Sequence, residues 1–241
     1  MRLPPERTAQ PGEELSPALL AELGRAMDLE LKPQQCACLL AFVDLLQRWG
    51  RVHNLTAIEK DTAILSHHLL DCLAIVLPLE RALARYAVPL ASGQALRFLD
   101  AGSGAGLPGI ALAIVRPAWH GTLVDAVQKK CAFLQQVRIE LHLTNVSVHH
   151  ARLERGGLGR HELIVARAFS SLRELVERTR DLLLPQGLWA AMKGRYPAAE
   201  LSELPAGVEV LDTITLRVPR LREQRHLVLL RPTRASATGN P

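Results

Sequence analysis

Aromatic side chains make up only 4% of this 241-residue chain: four Phe, three Trp and two Tyr. A protein that grips single-stranded nucleic acid by stacking base after base needs more such platforms. Cysteine is equally scarce. Cys36, Cys38, Cys72 and Cys131 form no C-x-x-C pair and accompany no histidines at zinc spacing. They read as small buried apolar residues rather than as a disulfide framework or metal ligands. No apolar run approaches the roughly 20 residues of a membrane span, and the polar, proline-bearing start from Met1 to Gln10 lacks the pattern of a signal peptide. The expectation is a soluble cytoplasmic protein that binds no metal. No internal repeat is present, and no serine, histidine and acid suggest a hydrolytic triad.

What the chain does have is apolar bulk. Hydrophobic residues make up 48%, enough for a sizeable core. The net charge of +5 is uneven: residues 1–95 carry 9 basic against 11 acidic side chains, residues 96–241 carry 20 against 13. A basic half favours a polyanionic partner through phosphate contacts and counterion release. Ordinary solvated basic faces would give the same count, and charge alone leaves both readings open.

The first 14 residues, rich in Pro, Glu and Arg, read as frayed. Two or three helices follow. Pro33 suits the first turn of one, in which Leu39, Leu40, Val43, Leu46 and Trp49 recur at helical spacing. Another spans about Asp61 to Leu77, with Pro78 ending it, and a loosely patterned stretch closes on Ser92-Gly93. That places a helical extension over 15–94. From Leu96 the pattern becomes strand, glycine turn, helix, then strands at Gly121–Asp125, Val146–Val148, Glu162–Ala166 and Leu188–Met192. A helix opens at Ser170 or Ser171, with Ser171-x-x-Glu174 as a capping box and Pro185 as its stop. Val208–Leu216 and His226–Leu230 read as a closing β pair joined by an Arg-rich loop. Alternating strands and helices with such a finish predict a doubly wound α/β domain over 95–231, its sheet parallel except at the end. Residues 232–241 read as a disordered tail.

Asp100-Ala101-Gly102-Ser103-Gly104-Ala105-Gly106-Leu107-Pro108-Gly109 lies between the first strand and its helix. Glycines there permit positive φ and let a ligand approach the backbone without meeting a Cβ. The dinucleotide fingerprint is G-x-G-x-x-G, with a pyrophosphate on the helix amides. Here the third glycine comes one residue early, at Gly106, and Leu107 stands where the last fingerprint glycine would be. Gly-x-Gly-x-Gly is the form used for S-adenosylmethionine, which has no phosphate. Asp125 ends the next strand, 23 residues after Gly102. A carboxylate there can accept from both hydroxyls of a ribose, which points to an adenosine ligand without separating the methyl donor from NAD.

Taken together, these residues resemble the rRNA small subunit methyltransferase G family (RsmG, GidB) over about residues 40–231. The resemblance is carried by Leu99-Asp-Ala-Gly-Ser-Gly-Ala-Gly-Leu-Pro-Gly-Ile110, where the Leu-Pro-Gly is more specific than the glycines. Supporting it are Asn54-Leu55-Thr56, His68-Leu-Leu-Asp71, Arg167-Ala-Phe-Ser-Ser-Leu172, Met192-Lys193-Gly194 and Arg225-His226-Leu-Val228. It implies a Rossmann-like class I S-adenosylmethionine-dependent methyltransferase with an N-terminal helical extension. It implies N7-methylation of a guanine in the decoding region of 16S rRNA, with that rRNA or the small ribosomal subunit as partner. The family's donor site would fall on Gly102, Leu107, Leu153, Glu154 and Arg167, beside the Gly104 and Asp125 of the turn-and-strand reading. Glu154, between Arg152 and Arg155, reads without the resemblance as a solvated charge.

Guanine N7 carries a lone pair and no hydrogen, so a transfer to it needs alignment rather than a general base. No catalytic residue is therefore assigned. Arg167 and Lys193 are positioning candidates, and Lys193, Arg195, Arg225 and His226 are candidates for RNA contact. The loop from Arg217 to Arg225 can track a phosphate backbone or simply be solvated. Asn54, His68 and Asp71 in the extension read as packing or capping residues ahead of target contacts. A monomer is the default. Two further readings stand beside this one: a methyltransferase-like rRNA-binding assembly factor without catalysis, and a methyltransferase for a protein or small molecule.

Overall fold

The computed structural model describes residues 15–53, 62–88, 95–155 and 157–233. Seven strands form one sheet: β1 (Arg97–Ala101), β2 (His120–Asp125), β3 (Val146–His150), β4 (His161–Arg167), β5 (Leu183–Lys193), β6 (Val208–Leu216) and β7 (Arg225–Pro232). Their order is β3-β2-β1-β4-β5-β7-β6. β1 to β5 run parallel, and β7 is antiparallel to both β5 and β6. Asn54-Leu55-Thr56, Asp61 and Ser92-Gly93 lie outside the described residues, as do 1–14 and 234–241.

Side chains alternate across a strand, and both faces here are apolar. Phe98, Leu163, Val165 and Ala190 enter one core cluster, whereas their neighbours Leu99, Ile164, Ala166 and Ala191 enter the other. The first face is covered by α1 (Pro17–Arg25), α2 (Pro33–His53), α3 (Thr62–Leu73), α4 (Val76–Arg85), α5 (Gly109–Val115) and α6 (Gln128–Glu140); the second is covered by α7 (Leu172–Thr179), with the short α8 (Ala198–Ser202) beside it. All seven residues of α5 are buried, because the earlier helices enclose its outer side. The extension thus shares one core with the first face of the sheet.

Polar contacts fix that packing. Gln35, in the first turn of α2, donates through Nε2 to the carbonyls of Val115 at 2.9 Å and Ile114 at 3.3 Å, capping the end of α5. Arg116 forms a two-pronged pair with Glu80 of α4, at 2.5 and 2.8 Å. Ser16 caps α1, its Oγ accepting from the Leu19 amide at 3.2 Å.

Two prolines behave differently from the sequence expectation. Pro78 does not end a helix begun near residue 61; α3 stops at Leu73 and a separate α4 starts at Val76. Pro78 sits in the first turn of α4, where a missing N–H removes no intrahelical bond. The extension therefore holds four helices among the described residues. Pro185 does not stop α7, which ends at Thr179, but lies within β5. There the β4–β5 register shifts between His161 and Leu163, and an irregular ladder tolerates the absent donor.

The chain reverses direction across the sheet between β1 and β4. It winds outward through β2 and β3 and returns to place β4 on the other side of β1. Loops leaving adjacent β1 and β4 diverge there, opening a crevice beyond the carboxyl ends of the strands.

Candidate active site

The glycine turn follows β1 at this switch point. Gly102, Gly104 and Gly106 have φ of 70°, 56° and 87°, a region other residues rarely adopt. Gly102 is exposed, and a Cβ on it would meet nothing nearer than the Phe169 ring at 3.9 Å. Its backbone is open to a ligand. Gly106 and Gly109 face inward instead, where a Cβ would lie 2.7 Å from Ile110 Cγ1 and 2.5 Å from Asp100 Oδ2 respectively.

Asp125 ends β2 beside the turn and is held in place by it. Its Oδ2 accepts from the Gly104 amide at 2.9 Å, and its Oδ1 from the Val127 amide at 2.8 Å. Lys130 Nζ lies 3.7 Å from Oδ2. Each carboxylate oxygen has capacity left to accept from a ribose hydroxyl. Ser103 ties the two strand ends together. Its amide donates to Val124 O at 2.9 Å, and its Oγ donates to Asp100 O while accepting from the Val124 amide.

Asp100, fully buried behind the turn, was passed over as a site residue. Its Oδ2 accepts from the Gly109 amide at 2.9 Å, and its Oδ1 has no partner among the described residues. Burial pushes this carboxyl up to about 7, only partly offset by the Gly109 amide and the Arg167 charge. Leu107 is buried in the core at the mouth of α5. Leu153 and Glu154 occupy a 3₁₀ turn after β3; Leu153 packs against the second face, whereas Glu154 is exposed and pairs with Arg178 at 3.2 Å.

The cationic candidates line the same edge farther along the sheet. Arg167 ends β4, Lys193 ends β5, and the antiparallel β7 starts there, so Arg225 and His226 join them; Lys193 and His226 are paired in register. None of these four side chains is simply solvated. Arg167 Nη1 donates to His68 Nδ1 at 3.1 Å; a guanidinium has only donors, so that ring nitrogen accepts. Lys193 Nζ is 2.8 Å from Glu200 Oε2 and donates to Phe169 O at 3.4 Å. Arg225 Nε is 3.5 Å from Asp71 Oδ2. His226 is buried, its ring edge-on to exposed Tyr196 with centroids 5.8 Å apart. Arg195 is exposed just past β5.

Gly102, Gly104, Asp125, Leu153 and Glu154 thus gather at one end of the crevice. Arg167, on the strand next to β1, stands between them and Lys193, Arg195, Arg225 and His226, which gather at the other. Sequence reasoning missed Glu200, a glutamate in a short surface helix with no distinguishing pattern. For His68 and Asp71 it placed packing or capping ahead of target contact; α3 carries both to the cationic edge. The His68-x-x-Asp71 spacing, one helical turn, was the available signal.

Among the described residues no group of three or more His, Cys, Asp or Glu is placed to hold a metal, and no helix is long and apolar enough to cross a membrane. A seven-stranded sheet in this order with one reversed strand, a glycine turn after β1 and an acid ending β2 defines a Rossmann-like class I methyltransferase. The model of one family, rRNA small subunit methyltransferase G, matches residues 35–228. The chain is 45% identical to ribosomal RNA small subunit methyltransferase G of Leptothrix cholodnii, over 86% of this chain and 92% of that one. It is 47% identical to the protein of the same name from Laribacter hongkongensis, over 90% and 97%. Among solved structures it is similar to the putative methyltransferase yhhF from Escherichia coli, with 16% identity, a TM-score of 0.49 and coverage of 67% of this chain and 87% of that one. The chain belongs to the rRNA small subunit methyltransferase G family.

Proposed function

We propose that this chain transfers a methyl group from S-adenosylmethionine to N7 of a guanine in 16S rRNA, in the decoding region of the small ribosomal subunit. One observation carries the reading: an open glycine backbone with an amide-held carboxylate at one end of a crevice, and a row of cations at the other. When bound, the donor supplies an electrophilic methyl group on a sulfonium. Asp125 accepts from the ribose hydroxyls, and the turn at Gly102 admits the donor's tail against bare backbone. Leu153 offers an apolar wall to the adenine and the backbone of Glu154 a polar edge, since the Glu154 carboxylate is engaged by Arg178. Arg167 and Lys193 orient the target base, Arg195 and Arg225 meet the RNA beyond it, and buried His226 supports that edge from behind exposed Tyr196.

Nothing has to remove a proton from N7, so the chain's contribution is alignment of N7, carbon and sulfur and exclusion of water. Such positioning contributes about 7–11 kcal/mol in well-oriented systems. The reading takes the chain as a monomer that meets its ribosomal substrate in the cytoplasm. Residues 15–94 and 95–231 act as one unit, because the extension supplies His68 and Asp71 to the target side.

The test is transfer of tritium from labelled donor to 16S rRNA from a strain lacking the enzyme, offered naked, as a precursor particle and as the finished subunit. One 7-methylguanosine per rRNA, located by mass spectrometry, is expected in at least one form. No incorporation in any of the three overturns the reading, and calorimetry then tells whether the chain binds the donor at all, as an assembly factor without catalysis need not.

A further inference from the structure

Adenine and guanine carry the same imidazole ring and the same N7 lone pair. Alignment of N7 with the methyl group therefore cannot by itself select guanine. The selection has to be made on the six-membered ring, whose Watson–Crick edge in guanine offers two adjacent donors, N1–H and the 2-amino group. Adenine offers an acceptor at N1, and neither pyrimidine has two adjacent donors there. An ionised carboxylate, which only accepts, matches guanine on that edge and repels the acceptors of the other bases.

The crevice holds a carboxylate suited to this. Asp71 comes from α3 in the extension and reaches the cationic edge of the sheet, where its Oδ2 lies 3.5 Å from Arg225 Nε. The residue is 6% exposed, and its Oδ1 has no partner among the described residues. A buried carboxylate oxygen left unmatched is costly and rare enough to need a reason. Helix packing is a poor one: an apolar residue of similar volume would fill the space at no such cost. Arg167 Nη1 donates to His68 on the same helix as Asp71 at 3.1 Å, and β4, which Arg167 ends, pairs with β1 leading into the glycine turn, so Asp71 and the turn border the same crevice. A purine lying between them can present N7 to the turn and its opposite edge to Asp71.

We propose that Asp71 determines base specificity, its carboxylate accepting the N1 and 2-amino hydrogens of the target guanine while N7 faces the methyl donor. This rests on the guanine-methylating reading given above. Burial raises this carboxyl and the charges of Arg225 and Arg167 oppose that rise, while the target base supplies the donors that its second oxygen lacks in the free protein.

The experiment compares the wild-type chain with Asp71→Asn on small-subunit particles reconstituted from ligated 16S rRNA. The mapped target is either guanosine or inosine, which lacks only the 2-amino group. Single-turnover rates over a range of enzyme concentrations give kcat/KM for each, and calorimetry gives donor affinity. Wild type should prefer guanosine by roughly 10–100-fold, the effect of one lost hydrogen bond to a charged group. Asp71→Asn should bring that ratio to within about threefold of unity, with slower transfer to guanosine and unchanged donor affinity. A ratio preserved in the variant, or a loss on both particles alike, partial or total, would show that Asp71 merely holds Arg225 and overturns the proposal. So does a wild-type enzyme indifferent to the 2-amino group. Absence of transfer by wild type to either particle is a separate result: it fails the guanine reading itself.

Discussion

Asp100 is a buried carboxyl whose charge the fold disfavours. It lies wholly within the protein, one oxygen on the Gly109 amide and the other without a partner among the described residues. Its carboxyl is pushed from the usual 3.8 up to about 7 by burial. A raised carboxyl means the folded state resists ionisation that the unfolded chain accepts. Its contribution to stability is therefore fully present below about pH 4 and is lost as pH rises toward 7, with a plateau above. Asp100→Asn keeps an oxygen for the Gly109 amide and removes the titration. The variant should gain stability relative to the parent on going from pH 5 to pH 8, read as the difference between their Tm values. A difference that stays constant across that range would show that Asp100 does not titrate there.

Among the elements, the glycine turn performs two separable tasks. Gly106 points into the core, so Gly106→Ala drives a methyl group to 2.7 Å from Ile110 Cγ1 and 2.9 Å from Leu134 Cδ2, at a φ of 87°. Crowding and backbone strain together should cost about 2–4 kcal/mol of folding stability. Gly102 points outward with open space over it. Gly102→Ala should cost only the strain, about 1–2 kcal/mol, but weaken donor binding at least about tenfold, because its methyl group occupies the approach to the backbone. Denaturant midpoints and calorimetric Kd values for the donor, taken side by side, check the contrast. Equal effects of both substitutions on donor binding would remove Gly102 from the donor site. Pro78 and Pro185 both lie inside elements, in the first turn of α4 and within β5. A proline limits which hydrogen bonds its own amide can make, yet whether it stops an element depends on whether that amide had a partner to lose.

Across the whole molecule, the acidic extension and the basic sheet domain meet along one crevice. Four basic side chains of residues 96–241, Arg167, Lys193, Arg195 and Arg225, stand along one edge, because β4 and β5 end there and β7 begins there. Binding of 16S rRNA should weaken with salt, log K falling against log salt with a slope of about −3 to −5 if four to six phosphates are neutralised. Lys193→Ala should weaken rRNA binding and methyl transfer while leaving donor affinity intact, as filter binding and calorimetry would reveal. Its change in slope should be below about one, since Lys193 must first release Glu200 at 2.8 Å. A slope near zero would point to a partner other than a polyanion.

The succession of strands and helices from Arg97 to Pro232, the short α8 apart, the glycine turn and Asp125 were all legible in the chain. Each depends on neighbours in sequence: alternation marks a strand, positive φ requires glycine, and an acid closing β2 is placed by the length of one crossover. The boundary between α3 and α4, the irregular run through Pro185, and the partners of the cations were not. Glu200 is seven residues from Lys193, His68 is 99 from Arg167, and Asp71 is 154 from Arg225. The two distant pairs leave no periodic trace, Lys193 and Glu200 sit on different elements that share no period, and a charged residue looks the same in a sequence whether it is solvated or buried against a counterion. Folding decided that by stacking the extension on the first face of the sheet, which carries α3 to the edge where β4, β5 and β7 end or begin.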